Sequence, residues 1–150
     1  MKAMSILAVA MLAAVPVFAE KTNAEKSEEF SATCVVADKP AKQGKSADYK
    51  GGKVYFCCGG CSGKFAKNPE KFATRANAQL VSTGQAEQIA CPITGGKINP
   101  DKKAEVAGVA VNFCCGNCEG KVKSADEKTA MTLVFSDKAF GKGFEVKSDK

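Results

Sequence analysis

Eight cysteines carry the chemistry this chain offers, and they fall into two sets of four: Cys34, Cys57, Cys58 and Cys61, then Cys91, Cys114, Cys115 and Cys118. Every member of the second set lies 57 residues after its counterpart, as Cys91 follows Cys34 and Cys118 follows Cys61. Thiolates grouped this way bind thiophilic metals, close into disulfides where the compartment is oxidising, or exchange disulfides. The chain has no histidine. A cysteine or serine nucleophile therefore has no imidazole base, no hydrolytic constellation is visible, and the reading is of a protein that is not an enzyme. Carboxylates are the other ligands of weight. Asp48 and Glu105 share a repeat position and could add an oxygen ligand, although a solvated strand carboxylate is the plainer account of each.

The cysteines belong to a duplicated unit. "VYFCCGGC" at 54–61 returns as "VNFCCGNC" at 111–118, and the same register aligns Ala47 with Ala104, Gly51 with Gly108, Gly63 with Gly120 and Lys64 with Lys121. A fixed period of this kind is the mark of an internal repeat. A unit of 57 residues is near the size at which a hydrophobic core alone gives marginal stability. Two staples are open to it: a metal, whose binding energy adds to folding energy, or a pair of disulfides.

The elements that must position these thiols can be read around them. "SADYKGGKVYF" is two strand-like runs about Gly51-Gly52, which suits a tight hairpin, so the cysteine cluster follows the second strand. Gly60 in one copy and Asn117 in the other suggest a left-handed position in a tight knuckle turn. Asn68-Pro69 reads as a helix start, with Phe72, Ala76 and Leu80 on one face; Ser124 and Glu127 read as a capping box in the second copy. Each helix is expected to run into a strand-like pair, Leu80-Val81 and Leu133-Val134. The expected fold class is α+β, two tandem units each running hairpin, cysteine knuckle, helix, strand. Phe56, Phe65, Phe72 and Phe113 are expected in the core. Lys64 and Lys121 read as exposed lysines, with a lowering of the thiol pKa values as the sharper alternative.

Adjacent cysteines on a continuing strand would point to opposite faces. One of Cys57 and Cys58, and one of Cys114 and Cys115, is then the better ligand. Cys58 with Cys61 has the commoner zinc spacing, and the spare cysteine would be a buried small residue or a resolving thiol.

The pattern of one cysteine, a gap of about twenty residues and then C-x3-C after an aromatic resembles the YHS/TRASH group of heavy-metal-associated cysteine domains. Cys34, Cys57 and Cys61 match it, as do Cys91, Cys114 and Cys118, and "CPITGGKIN" at 91–99 is similar to the opening of that group. The resemblance covers 32–80 well and 89 to about 128 less fully, and the Tyr-His-Ser tripeptide of one branch is absent. It implies a small treble-clef-like metal-binding module used in trafficking, resistance or sensing, and it favours Cys57 over Cys58.

"MKAMSILAVAMLAAVPVFAE" has one charge at Lys2, an apolar run, and small residues at Val17 and Ala19, the features of a cleaved secretory signal. The organisation expected is a signal peptide at 1–19, a linker at 20–31, the first repeat at 32–81, a linker at 82–88, the second repeat at 89–136 and a partly packed tail at 137–150. The mature chain would be periplasmic or secreted, free of the membrane and without a nucleic-acid role. Its net charge, +6 before Lys2 is removed, is spread over isolated lysines rather than gathered in a block. Met131 is the one methionine beyond that signal, which excludes a methionine-rich copper site. Three thiolates per copy suit Cu(I), whereas four suit tetrahedral Zn(II). The expectation is about one ion per repeat, Cu(I) before Zn(II), with the metal as partner and another extracytoplasmic protein admitted as a second. A structural protein stapled by disulfides or zinc is the alternative, and thiol-disulfide exchange a distant third.

Overall fold

The computed structural model describes residues 30–147. The expected signal segment at 1–19 and nearly all of the linker at 20–31 lie outside the described residues. In chain order the first copy runs β1 (Lys42–Tyr49), β2 (Gly52–Phe56), α1 (Gly59–Lys67), a 3₁₀ turn (Pro69–Phe72), α2 (Ala73–Ser82) and β3 (Ala86–Gln88). The second runs β4 (Asn99–Val106), β5 (Val109–Phe113), α3 (Gly116–Lys123), α4 (Glu127–Phe135), α5 (Asp137–Gly143) and β6 (Phe144–Val146). The class is mixed α+β, with three two-stranded antiparallel sheets among the described residues. None of the described helices is long and apolar enough to cross a membrane.

The hairpins form as their sequences suggest. Val54 and Phe56 on β2, and Val109, Val111 and Phe113 on β5, alternate into the core with the period of two that a strand imposes. The turns are centred on Lys50-Gly51 and Ala107-Gly108, all four residues at positive φ, which matches the right-handed twist of a two-residue hairpin. Gly52, read with Gly51 as the turn, is instead the first residue of β2. Its glycine answers to space, since a Cβ there would lie 2.8 Å from Leu80 Cδ2.

Both hairpins carry the same irregularity. Lys42 pairs with Phe56 and Ser46 already with Tyr55; Asn99 pairs with Phe113 and Lys103 with Asn112. The extra residues bulge out, so the chain begins its strand beside the aromatic that precedes the paired cysteines. That geometry brings the loop carrying Cys34, or Cys91, over the end of the hairpin.

Several local expectations are corrected. Leu80-Val81 and Leu133-Val134 lie inside α2 and α4, and the strands come later, at β3 and β6. Burial of Leu80 and Val134 on helical faces outweighs their β propensity. Asn68 makes no side-chain cap, and Pro69 opens a 3₁₀ turn before α2 begins. Helix α4 is capped by Asp126, which accepts from Thr129 N–H at 3.1 Å, not by a Ser124–Glu127 box. The segment read as a linker, 82–88, contains β3, and the segment read as a partly packed tail supplies α5 and β6 with Phe140 and Phe144 buried.

Strand β3 of the first copy pairs with β6 of the second, Ala86 opposite Val146 and Gln88 opposite Phe144. Side chains of both copies form one continuous hydrophobic cluster, Phe56, Phe65 and Leu80 from one with Phe113, Val134 and Phe135 from the other. A polar junction crosses the same boundary. Asn77, fully buried, donates to Phe135 O at 2.8 Å and to Asp137 Oδ1 at 2.9 Å, and Lys50 Nζ reaches Asp137 at 2.6 Å and Asn77 Oδ1 at 3.2 Å. Lys50 and Asn77 hold the Asp137 carboxyl below the usual carboxylate range.

Candidate metal centre

The chain changes direction at the paired cysteines. Cys57 follows the last residue of β2, Cys58 is the N-cap of α1, and Cys61 stands in the first helical turn; Cys114, Cys115 and Cys118 repeat this around β5 and α3. The backbone at the two N-caps agrees closely, φ −157° and ψ 166° at Cys58, φ −157° and ψ 167° at Cys115. Because the strand has ended, the alternation that would send neighbouring side chains apart no longer applies. Cys57 and Cys58 both approach Cys61, each at 3.6 Å between sulfurs. Gly60 and Asn117 are not at positive φ; they belong to the first turn of α1 and α3, so the knuckle is a helix start rather than a left-handed turn.

Cys34 completes the first site from its own loop, closed by Cys34 N–H to Lys39 O at 2.8 Å and Ala41 N–H to Ala32 O at 2.8 Å. Cys91 does so in the second, where Cys91 N–H meets Gly96 O at 2.9 Å and Gly95 N–H meets Cys91 O at 2.7 Å. The structure thus brings together Cys34, Cys57 and Cys61, and separately Cys91, Cys114 and Cys118, with the sulfurs of each triad within 4.8 Å of one another. The outer two members of each triad are buried and the middle one half-buried. Cys58 and Cys115 are exposed and are not part of either triad, although Cys58 Sγ lies 3.9 Å from Cys57 and 3.6 Å from Cys61, and Cys115 Sγ 3.7 Å from Cys114.

The spacing fits a thiolate-bound ion. Metal–sulfur bonds of about 2.3 Å put two ligand sulfurs about 3.8 Å apart in a tetrahedral shell and about 4.0 Å apart in a trigonal one. Cys57 and Cys61 at 3.6 Å, and Cys114 and Cys118 at 3.7 Å, need little adjustment to reach either. Each triad could hold one metal ion.

The surroundings favour charge on the first cysteine of each triad. Burial pushes the Cys34 thiol up, but the backbone N–H groups of Cys57, Val36 and Ala37 outweigh it and bring the thiol below its ordinary value. At Cys91 burial is again opposed, here by the Thr94 hydroxyl and the N–H groups of Cys114, Thr94 and Ile93, and the thiol comes down to about 6. The Cys57 thiol and burial push Cys61 up to about 12; burial and the Cys114 thiol do the same to Cys118. Within each metal-free triad the first cysteine thus gives up its proton more readily than the last.

Neither Asp48 nor Glu105 joins a triad. Asp48 is exposed on β1 and faces Lys53 at 3.7 Å. Phe56, Phe65 and Phe113 are buried as expected, and Phe72 is half-buried against them. Two residues that the sequence did not single out brace the second site. Thr94 Oγ1 lies 3.3 Å from Cys114 Sγ. Gly143, at the end of α5, accepts from Ile89 and Ala90 N–H at 2.8 and 3.2 Å and packs so closely that a Cβ would sit 2.8 Å from Pro92 Cα. The "CPIT" string could have pointed to Thr94, but nothing local pointed to Gly143. Comparison of the chain with protein-family models, curated proteins and solved structures gives no match in any of the three.

Proposed function

We propose that this chain binds one thiophilic metal ion in each copy, on Cys34, Cys57 and Cys61 and on Cys91, Cys114 and Cys118, as cargo to be sequestered or handed on. The observation that carries the reading is the repetition of one triad, with the same burial and the same strand-end and helix-start frame, in two copies whose surroundings differ. Three converging thiolates without a carboxylate form a soft, low-coordinate donor set, which favours Cu(I) over Zn(II). Cys58 and Cys115 stand close enough to supply a fourth sulfur when zinc is bound. This agrees with the resemblance to the YHS/TRASH group and its treble-clef-like modules. The signal-like N-terminus places the work outside the cytoplasm in this reading, with another extracytoplasmic protein as donor or acceptor.

A dithiol exchange role for Cys58 and Cys61 has one observation in its favour, an exposed thiol at a helix start beside a buried one. It leaves Cys34, only 1% exposed, without a task. Titrating the reduced protein with Cu(I) and with zinc, each against a competing chelator, tests the proposal. Two Cu(I) per chain, held more tightly than zinc, are expected. Protein isolated with its cysteines protected from alkylation and with no metal would overturn the reading in favour of a disulfide-stapled one.

A further inference from the structure

Two glutamines meet the same backbone groups in the two copies, and they do so from unrelated places. In the first copy Gln79, on α2, accepts from Tyr55 N–H at 2.6 Å and donates to Tyr55 O at 3.0 Å and Thr33 O at 2.7 Å. In the second, Gln88, on β3, accepts from Asn112 N–H at 2.9 Å and donates to Asn112 O at 2.6 Å and Ala90 O at 3.1 Å. Tyr55 and Asn112 are counterparts in the 57-residue register, and so are Thr33 and Ala90; Gln79 aligns with Ser136, and Gln88 with Ser31. The duplicated unit therefore accounts for the backbone groups but not for the side chain that meets them.

Part of this is ordinary satisfaction of an open edge. Strands β2 and β5 each have one partner, so the outward N–H and C=O groups of Tyr55 and Asn112 need others. Gln85 serves that purpose alone, accepting from Lys53 N–H at 2.6 Å and donating to Lys53 O at 2.8 Å, its other bond going to nearby Thr83. Gln79 and Gln88 differ in their third bond. It reaches the residue immediately before Cys34 or Cys91, while the first two hold the residue two places before Cys57 or Cys114. A primary amide, with one acceptor and two donors in a plane, spans both segments at once. We propose that Gln79 and Gln88 are positioning residues, each setting the separation between the two arms that carry the first and second cysteines of its triad.

This deepens the metal reading, but its test needs no metal. The reduced, metal-free protein is alkylated under native conditions, and the rate at each cysteine is followed by peptide mass spectrometry. Gln88→Met keeps length and removes all three bonds. It should speed modification of buried Cys91 on the order of tenfold, the factor that about 1.4 kcal/mol of local hydrogen bonding represents, and leave Cys34 unchanged. Gln79→Met should do the reverse, and Gln85→Met should change neither. Equal acceleration at Cys34 and Cys91 in any one variant, or none in the Gln79 and Gln88 variants, overturns the proposal. Gln79 lies deep in the core; if its variant does not fold, half-buried Gln88 and the Gln85 control decide alone. Thiol rates that follow this pattern in a protein that fails to take up Cu(I) or zinc would sink the metal reading and leave the positioning role standing.

Discussion

The two copies hold their triads in one frame and surround the first cysteine of each in different ways. Cys34 sits in a loop closed by its own backbone, with Ala37 where the second copy has Thr94. Cys91 sits in a loop that closes through the counterpart backbone bond, Cys91 N–H to Gly96 O, and adds Gly95 N–H to Cys91 O, the Thr94 hydroxyl beside Cys114 and Gly143 pressed against Pro92. Its thiol comes down to about 6, and Cys34 comes down less far. What was kept in both copies is the geometry of three sulfurs; what diverged is what packs behind the first arm and which groups favour charge on its thiol. The difference teaches that the hairpin end and helix start suffice to aim two of the thiols, while the third depends on whatever packs behind its loop.

The largest expected effect separates the copies altogether. Cys34→Ser should reduce bound metal from two ions per chain to one, and Cys91→Ser should do the same from the other side, as read by native mass spectrometry. Cys58→Ser, which removes a thiol outside the triad, should leave two. A chain that loses both ions on either change would show the sites to be coupled.

Next comes the junction that joins the copies rather than either site. Asn77→Ala abandons Phe135 O and part of the Lys50–Asp137 contact, and should cost about 2–3 kcal/mol by denaturant unfolding. A single transition is expected, since both copies feed one core; two separated transitions would mean that the core divides. The carboxyl of Asp137, lowered in the folded state, adds stability that is present above its ordinary value and is lost as the pH falls through the folded one. With Asp137 more than half exposed, solvent screening keeps that contribution small.

Gly143→Ala forces a Cβ against Pro92 and should cost about 1–2 kcal/mol while weakening metal binding at Cys91 alone. Equal weakening at Cys34 would contradict the brace.

The smallest change is the most informative about charge. Thr94→Ala makes the second loop resemble the first at that position, and its stability should fall by less than about 1 kcal/mol. The Cys91 thiol should titrate above about 6, toward Cys34, when alkylation is followed against pH. A depressed thiol stabilises the fold above its unfolded pKa and loses that contribution as pH falls through the folded one. The native second copy should therefore lose this stabilisation near pH 6, and the variant at higher pH. An unchanged Cys91 profile would remove Thr94 from the account.

Much of this was legible in the chain itself. The period of 57, the hairpins and the grouping of cysteines follow from residue identity and short-range pattern, because strand alternation and a turn with Gly at its second position act over a few residues. Helix ends were read less well. Asp126 won over Ser124 as cap, and a 3₁₀ turn intervened after Asn68, since several polar residues in a row can each accept the first free N–H groups. Leu80-Val81 and Leu133-Val134 were misread as strands because a two-residue apolar pair fits either period.

Residue identity and spacing were enough to establish which thiols exist, that they come in two equivalent sets, and that the last three of each set follow a strand. Spacing left Cys57 and Cys58 both open and only the family resemblance leaned to Cys57; tertiary packing is what joins Cys57 rather than Cys58 to Cys34 and Cys61, because the direction of each side chain depends on where the strand yields to the helix. It also decided that the copies share a core, through β3 against β6 and Asn77 against Phe135. Contacts between residues so far apart in the chain leave no local period, and only packing brings them together.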